Sequence, residues 1–289
     1  MPSVDLPLGR VDYRVFGPEA PGVTTVVFVH GFLVNGTLWD AVAQRLADAG
    51  VRSVVPDWPL GAHRTPVPPQ SVLSPEAVGA AVLDLLAALD LQDVVLVGND
   101  TGGAICQLAL AGDHRRVGAL VLTNTDAFEV FPPSFFVPLF LAARSRAAVW
   151  AVLQSTRLRL VRHSPLAYGP LLNRPRSSAL TRAWVQPALE DAAIRRDIVR
   201  FARGLRRDEL LDAARWLASF AGPTRLAWGT RDRNFTLRLG RRLAAALPGA
   251  ELVEVDDATT FVSVDRPRAV SEVIVGVIAE LRGVGGRPG

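Results

Sequence analysis

Val94 to Val97 run directly into Gly98-Asn99-Asp100-Thr101-Gly102-Gly103, and an Ala-, Leu- and Ile-rich helical pattern follows at once. A buried strand, a sharp turn and a helix in that order hold the residue at the tip above a sheet, at the start of a helix. Gly98 and Gly102 supply the missing side chains that let strand and helix pack around so tight a turn. The residue at the tip is Asp100. A carboxylate so placed can attack an electrophilic carbon. If burial raises its pKa, it can instead give and take a proton. The alternative is a surface loop in which Asp100 only caps the helix that follows.

Other residues able to do chemistry cluster at strand ends. His30-Gly31-Phe32 follows the β-branched run Thr24 to Val29, and Asp126 follows the strand read as Ala119 to Thr123. Asp232 closes Trp228-Gly229-Thr230-Arg231-Asp232, where an N-cap role is the alternative to a chemical one. His30 reads as shaping its own turn through hydrogen bonds. The chain has four histidines: His30, His63, His114 and His163. His63 lies in a turn-rich loop on the carboxyl side of the sheet, where ligands bind in such folds. It is the first choice for a base near Asp100, with His163 second and His114 read as exposed. The single cysteine, Cys106, reads as a small core residue.

The elements that position these groups alternate. Residues 10–16 read as an edge strand, 24–29 and 51–55 as buried strands, and 37–49 and 74–89 as helices. Ser74-Pro75 gives the second helix its cap. After the Asp100 strand and helix and the strand at 119–123, strand patterns stop until Thr224 to Trp228. A helix across 235–247, a strand from Glu251 to Val255 and a last helix from about Pro267 to Leu281 complete the chain, with 283–289 read as a frayed tail. Such alternation predicts an α/β fold with a mostly parallel, doubly wound sheet. It also divides the chain into 1–126, a helical insertion over 127–222, and 223–289.

With these residues in view, the chain resembles the α/β-hydrolase superfamily over nearly its whole length. The His30-Gly31 turn, the Asp100 elbow, Asp232 after a late strand and Asp265-Arg266-Pro267 before the last helix carry the resemblance. An Asp at the elbow is similar to the epoxide hydrolase and haloalkane dehalogenase branch. The resemblance implies that Asp100 is a nucleophile forming an ester, that Asp232 or Asp126 orients a histidine, and that the backbone N–H groups of Phe32 and Thr101 form an oxyanion hole. It also implies that the insertion is a cap. Where that branch carries its histidine, this chain reads Thr259-Thr260-Phe261, so Thr260 takes the position. A Thr hydroxyl does not activate water as imidazole does. Thr101 and Phe32 also replace residues that dehalogenases use to hold halide. Tyr168 is the cap's only tyrosine, so the tyrosine pair of epoxide hydrolases is incomplete. Trp150, Trp184 and Trp216 either line an apolar pocket or belong to the core.

Three functions follow as expectations. The first is a capped hydrolase acting through Asp100 on a small, largely apolar epoxide- or ester-like electrophile. The second is a lyase, isomerase or cyclase that uses Asp100 as general acid or base. The third is a ligand-binding homologue without chemistry. No metal and no cofactor is implied. The expected partner is a small-molecule substrate, with a homodimer as the expected assembly.

Composition sets the remaining bounds. The chain has 289 residues, 49% hydrophobic and 21% charged, which places it among globular proteins. Every basic side chain other than histidine is Arg. The net charge of +4 is concentrated in the middle of the chain, read here as a solvated helical face without a nucleic-acid motif. One cysteine and no signal-like N-terminus give a cytoplasmic location as the expectation. No apolar run reaches the ~18 residues of a spanning helix.

Overall fold

The computed structural model describes residues 1–20, 23–173 and 178–285. Its eight strands are β1 (Ser3–Leu6), β2 (Gly9–Phe16), β3 (Thr25–Val29), β4 (Arg52–Pro56), β5 (Val94–Asp100), β6 (Val117–Thr125), β7 (Thr224–Gly229) and β8 (Glu251–Val255). They form one sheet in the order β1-β2-β4-β3-β5-β6-β7-β8. β1 pairs antiparallel with β2, and β2 with β4. Every pairing from β4 across to β8 is parallel.

The central strands explain the order. All five residues of β3, and every residue of β5 before Asp100, are buried. A strand apolar on both sides needs helices over both faces. Helices Pro75–Ala88 and Thr101–Leu110 cover one face. Asp40–Asp48 and Pro267–Gly285 cover the other. Ser74 caps its helix as read from the sequence, its side chain accepting from the Ala77 N–H.

Two expectations change. Residues 10–16 are not an edge, because β1 adds a further strand outside them; four residues with one buried side chain leave little alternation to read. The last helix continues through Gly285, so 283–285 are not frayed; the rest of the expected tail, 286–289, lies outside the described residues.

Between β6 and β7 the chain inserts a run of helices, the segment called the cap below. Its longer helices are Arg146–Ser155, Ser178–Glu190, Ala192–Gly204 and Glu209–Leu217. Several hydrogen bonds tie it to the sheet domain, two of them at residues read from the sequence. Phe261 N–H donates to the Leu171 carbonyl at 2.9 Å. Asp197, fully buried on a cap helix, accepts from Val67 N–H at 2.8 Å and faces His63 Nε2 at 3.5 Å. Arg196 and Arg200 flank it with ion pairs of 3.0 Å.

Candidate active site

Asp100 ends β5 at φ 54°, ψ −134° and begins the helix Thr101–Leu110. An L-residue there is strained, and such a conformation persists only where packing imposes it. Packing does impose it. A Cβ on Gly102 would overlap the carbonyl oxygens of Val29 and His30, and one on Gly31 would overlap the Asp100 carboxylate. The turn is therefore clamped between β3 and β5, with the carboxyl forced up against the Gly31 backbone.

The backbone N–H groups of Thr101 and Phe32 lie beside the Asp100 carboxylate and favour its charged form, without completing hydrogen bonds of ordinary geometry. Burial nevertheless dominates. It pushes the Asp100 pKa up to about 7; the Thr101 N–H opposes this, the Asp232 charge adds to it, and the Phe32 N–H opposes it again. Phe32 is aimed by its neighbour. Leu33 holds a left-handed φ of 59°, fixed by its N–H to the Leu60 carbonyl at 2.8 Å and by the Tyr168 hydroxyl donating to its own carbonyl at 2.6 Å.

Asp232 and Thr260 meet. The Thr260 hydroxyl donates to Asp232 Oδ2 at 2.8 Å, and Asn124 Nδ2 donates to the same oxygen at 2.8 Å. Asp232 Oδ1 accepts from the N–H groups of Asn234 at 2.8 Å and Phe235 at 3.0 Å. Asp232 Oδ1 thus closes a turn ahead of the helix that Thr236 caps, and Oδ2 is taken by Thr260 and Asn124. Burial raises the Asp232 pKa, and these donors restrain it. Thr260 is fully buried, its carbonyl accepting from Asn99 Nδ2 at 2.7 Å.

Asp126 lies apart from Thr260. It is 1% exposed, and neither carboxyl oxygen makes a hydrogen bond of ordinary geometry; the Thr101 hydroxyl approaches it. Burial first and the Asp100 charge second raise its pKa well above the ordinary carboxylate value, which favours its neutral form.

An apolar cavity of about 100 Å³ opens over Asp100, walled by Phe32, Phe136, Phe140, Tyr168, Trp184 and Leu171 among others. Asp100 and Tyr168 are its only titratable lining residues among those described, and no imidazole lines it. Burial raises the Tyr168 pKa, so its hydroxyl stays protonated on Leu33. Asp232 borders a different and larger cleft, with Arg231, Arg233 and Asn173.

Several expected site residues are therefore elsewhere. Thr260 does not line the cavity, since its hydroxyl is committed to Asp232. His63 is not brought to Asp100: its Nδ1 accepts from Gly61 N–H at 3.3 Å and its Nε2 faces Asp197. His163 binds the Thr181 hydroxyl at 3.0 Å and also lies outside the cavity. His30 shapes its turn, Nδ1 on the Gly31 carbonyl at 3.0 Å and Nε2 accepting from Trp58 N–H at 2.8 Å. Burial lowers its pKa to about 3, so it is a neutral structural group. Of the three cap tryptophans only Trp184 lines the cavity; Trp150 and Trp216 are more than half exposed. Cys106 is buried with its pKa raised by burial, which makes it a core residue. Sequence reading missed Asn99 and Asn124, which fix Thr260 and Asp232. The polar run Thr123-Asn124-Thr125-Asp126 at the end of an apolar strand was the available signal.

An Asp at the tip of a sharp strand-to-helix turn, on a sheet of this order with helices inserted after β6, defines a class, and comparison with known proteins agrees. A family model described as alpha/beta hydrolase fold matches residues 24–267. The chain belongs to that family and is an enzyme of its superfamily. It is similar to the 2-hydroxy-6-oxononadienedioate/2-hydroxy-6-oxononatrienedioate hydrolase of Paraburkholderia xenovorans, 27% identical over 252 residues, 82% of this chain and 80% of that one. It is also similar to the cis-3-alkyl-4-alkyloxetan-2-one decarboxylase of Xanthomonas campestris pv. campestris, 28% identical over 274 residues, 88% of this chain and 86% of that one. Among solved structures, an alpha/beta hydrolase fold protein from Burkholderia ambifaria superposes with a TM-score of 0.80 at 22% identity, covering 95% of this chain and 97% of that one. An ancestral haloalkane dehalogenase superposes with a TM-score of 0.79 at 19% identity, covering 98% of this chain and all of that one. These superpositions carry the fold.

Proposed function

We propose that Asp100 is both the nucleophile and the leaving group in a reaction on a small, apolar, strained electrophile, and that the reaction ends without water. The observation that carries this is the Asp100 carboxyl, at the tip of a strained turn with the Thr101 and Phe32 N–H groups beside it, lining a cavity that no imidazole lines. In this reading the N–H pair takes one oxygen and the other attacks. The same pair stabilises the carboxylate when it departs.

A four-membered lactone fits this chemistry. Asp100 attacks the ring carbon that bears the ring oxygen. The C–O bond to Asp100 forms, the ring C–O bond breaks, and its electron pair goes to the released carboxylate. Loss of carbon dioxide then sends the C–C electrons into a new alkene, and the ester C–O bond breaks to regenerate Asp100. No proton moves and no base is needed, so Thr260 in place of histidine is no obstacle. The similarity to an oxetan-2-one decarboxylase supports this substrate class. A cavity of about 100 Å³ favours short chains, being well below the ~300 Å³ of ordinary drug-sized sites.

A hydrolytic outcome on an epoxide or ester, as for the hydrolase relatives, needs an activated water. Losing the base in such a step costs roughly 10²–10⁴-fold. A second reading has Asp100 as general acid or base, and its pKa of about 7 favours that role. The test is turnover of a short-chain cis-3,4-dialkyl oxetan-2-one in ¹⁸O-labelled water. Alkene and carbon dioxide are expected, with no labelled hydroxy acid. A labelled hydroxy acid as the product would overturn the water-free step. An absence of both turnover and any Asp100 adduct by mass spectrometry, across lactones, epoxides and esters, would overturn the nucleophile.

A further inference from the structure

The cap carries a feature that the chemistry at Asp100 does not use. Residues 130–189 contain no Asp or Glu at all, yet hold eight Arg. Arg144, Arg146, Arg157 and Arg159 are exposed, and none of them pairs with a carboxylate among the described residues. The same stretch exposes large apolar side chains. Leu160 is 86% exposed, Leu166 81%, Leu158 65% and Trp150 55%. Leaving so much apolar surface in water along one segment marks an interaction site.

This surface is continuous with the cavity mouth. Val152 and Leu166 are both exposed and both line the cavity over Asp100. Exposed Phe135 stacks edge-on against cavity-lining Phe136, with ring centroids 5.0 Å apart. Exposed Leu141 shares a helix with cavity-lining Leu139 and Phe140. The helices Ser134–Ala142 and Arg146–Ser155 are together apolar enough for a bilayer interior but are bent by 112°, and among the described residues no single helix is long and apolar enough to cross one. Such a bent apolar pair, rimmed by arginines, suits shallow insertion at an interface rather than spanning.

We infer that this face of the cap docks on an anionic phospholipid bilayer, with the mouth of the cavity toward the lipid. Two observations select that occupant: the arginine rim without a compensating acid, and the continuity of the exposed apolar side chains with the site's entrance. Lipid supplies both complements at once, negative headgroups for the arginines and hydrocarbon for the leucines and Trp150. The docking stands independently of the reaction at Asp100, because none of its surface groups reacts.

The experiment is cosedimentation of the full chain with phosphatidylcholine vesicles, with and without phosphatidylglycerol. Binding is expected only with phosphatidylglycerol and is expected to weaken as salt rises. Arg157→Ala with Arg159→Ala removes two charges, each worth about fivefold near such a surface, and is expected to weaken binding by about 25-fold. Leu160→Ser changes an exposed side chain, leaves the fold intact by circular dichroism, and is expected to weaken binding by about tenfold or more. Brominated acyl chains are expected to quench fluorescence in the parent and to lose that quenching in Trp150→Phe. No phosphatidylglycerol-dependent binding at low salt overturns the proposal. So does binding that ignores Leu160→Ser, which reduces the face to a charge attractor. Concentration-dependent dimerisation abolished by Leu160→Ser, with vesicles left unbound, assigns the face to a second copy of the chain instead.

Discussion

Asp100→Asn is expected to abolish activity and to stabilise the protein, by an amount that depends on pH. Burial moves the Asp100 pKa from 3.8 to about 7, about three units at 1.36 kcal/mol each. That sets an upper value near 4 kcal/mol for the cost of holding the ionised form in place. The carboxyl is partly accessible from its cavity, and Asp126 and Asp232 titrate with it, so about half of this, ~2 kcal/mol, is expected. The sign follows from proton binding. Between pH 4 and 7 the folded wild type holds a proton on Asp100 that the unfolded chain has released, so its stability falls as pH rises through that window. Below pH 4 the cost is absent; above about pH 7 it is complete. Asn has no such titration, and its amide oxygen can still accept from Thr101 and Phe32. The stability difference between variant and wild type should therefore open from pH 4, saturate above pH 7, and raise Tm by ~4–8 °C at pH 8. Urea melts of both proteins at pH 4, 5.5, 7 and 8 measure this. A difference that is flat with pH, or a variant less stable at pH 8, would refute the reasoning that Asp100 is an ionised carboxyl held against its own desolvation.

Other expectations follow from the same geometry. If Asp100 is the nucleophile, kcat/KM rises with pH to a plateau with its midpoint near 7; a general acid gives the opposite slope, and the pH profile separates them. Thr260→Val leaves Asp232 three donors of four, so it is expected to cost about 1–2 kcal/mol in denaturant melts while leaving kcat within a few-fold. A loss of kcat beyond 100-fold would place Thr260 in the chemistry. Tyr168→Phe frees the Leu33 carbonyl and slackens the turn that aims the Phe32 N–H; a stability loss of about 1 kcal/mol with a larger drop in kcat than rise in KM is expected from kinetics. Gly102→Ala overlaps the Val29 and His30 carbonyls, so it is expected to destabilise by several kcal/mol or leave the protein insoluble, read by yield and calorimetry.

The fold was legible because its signals are local and strong. β3 and β5 are continuous apolar runs with no polar face, which only a sheet covered on both sides accommodates. Ser74-Pro75 and the glycines around Asp100 announce their own conformations. The sharp turn at Asp100 was legible for the same reason, while the choice between Asp232 and Asp126 as the partner of position 260 was left open and is seen only in the fold, where Thr260 binds Asp232. The partners of histidines were not. His63 sits in a loop of the sheet domain, and what turns it from Asp100 is Asp197, more than a hundred residues away on a cap helix. Sequence gives no register between such a loop and such a helix. Nor does it show which of three tryptophans faces inward: Trp184 is buried by its bond to the Thr37 hydroxyl at 2.9 Å, a contact across the two parts of the chain.

Thr260 does more than fill the space beside Asp232. A vacancy at that position would leave Asp232 a buried carboxylate short of a donor, which is costly. Instead the Thr260 hydroxyl, Asn124 and two backbone N–H groups occupy both of its oxygens. Thr260 is in turn held by Asn99, beside Asp100. Asp232 and Thr260 are thus built into one network in which both oxygens of the acid are satisfied, and neither residue lines the cavity. Asp232 is thus tied by four donors, and burial pushes Asp126 toward its neutral form. Asp100 is left as the one carboxyl among the described residues that faces the cavity, which is the arrangement the proposed water-free reaction needs.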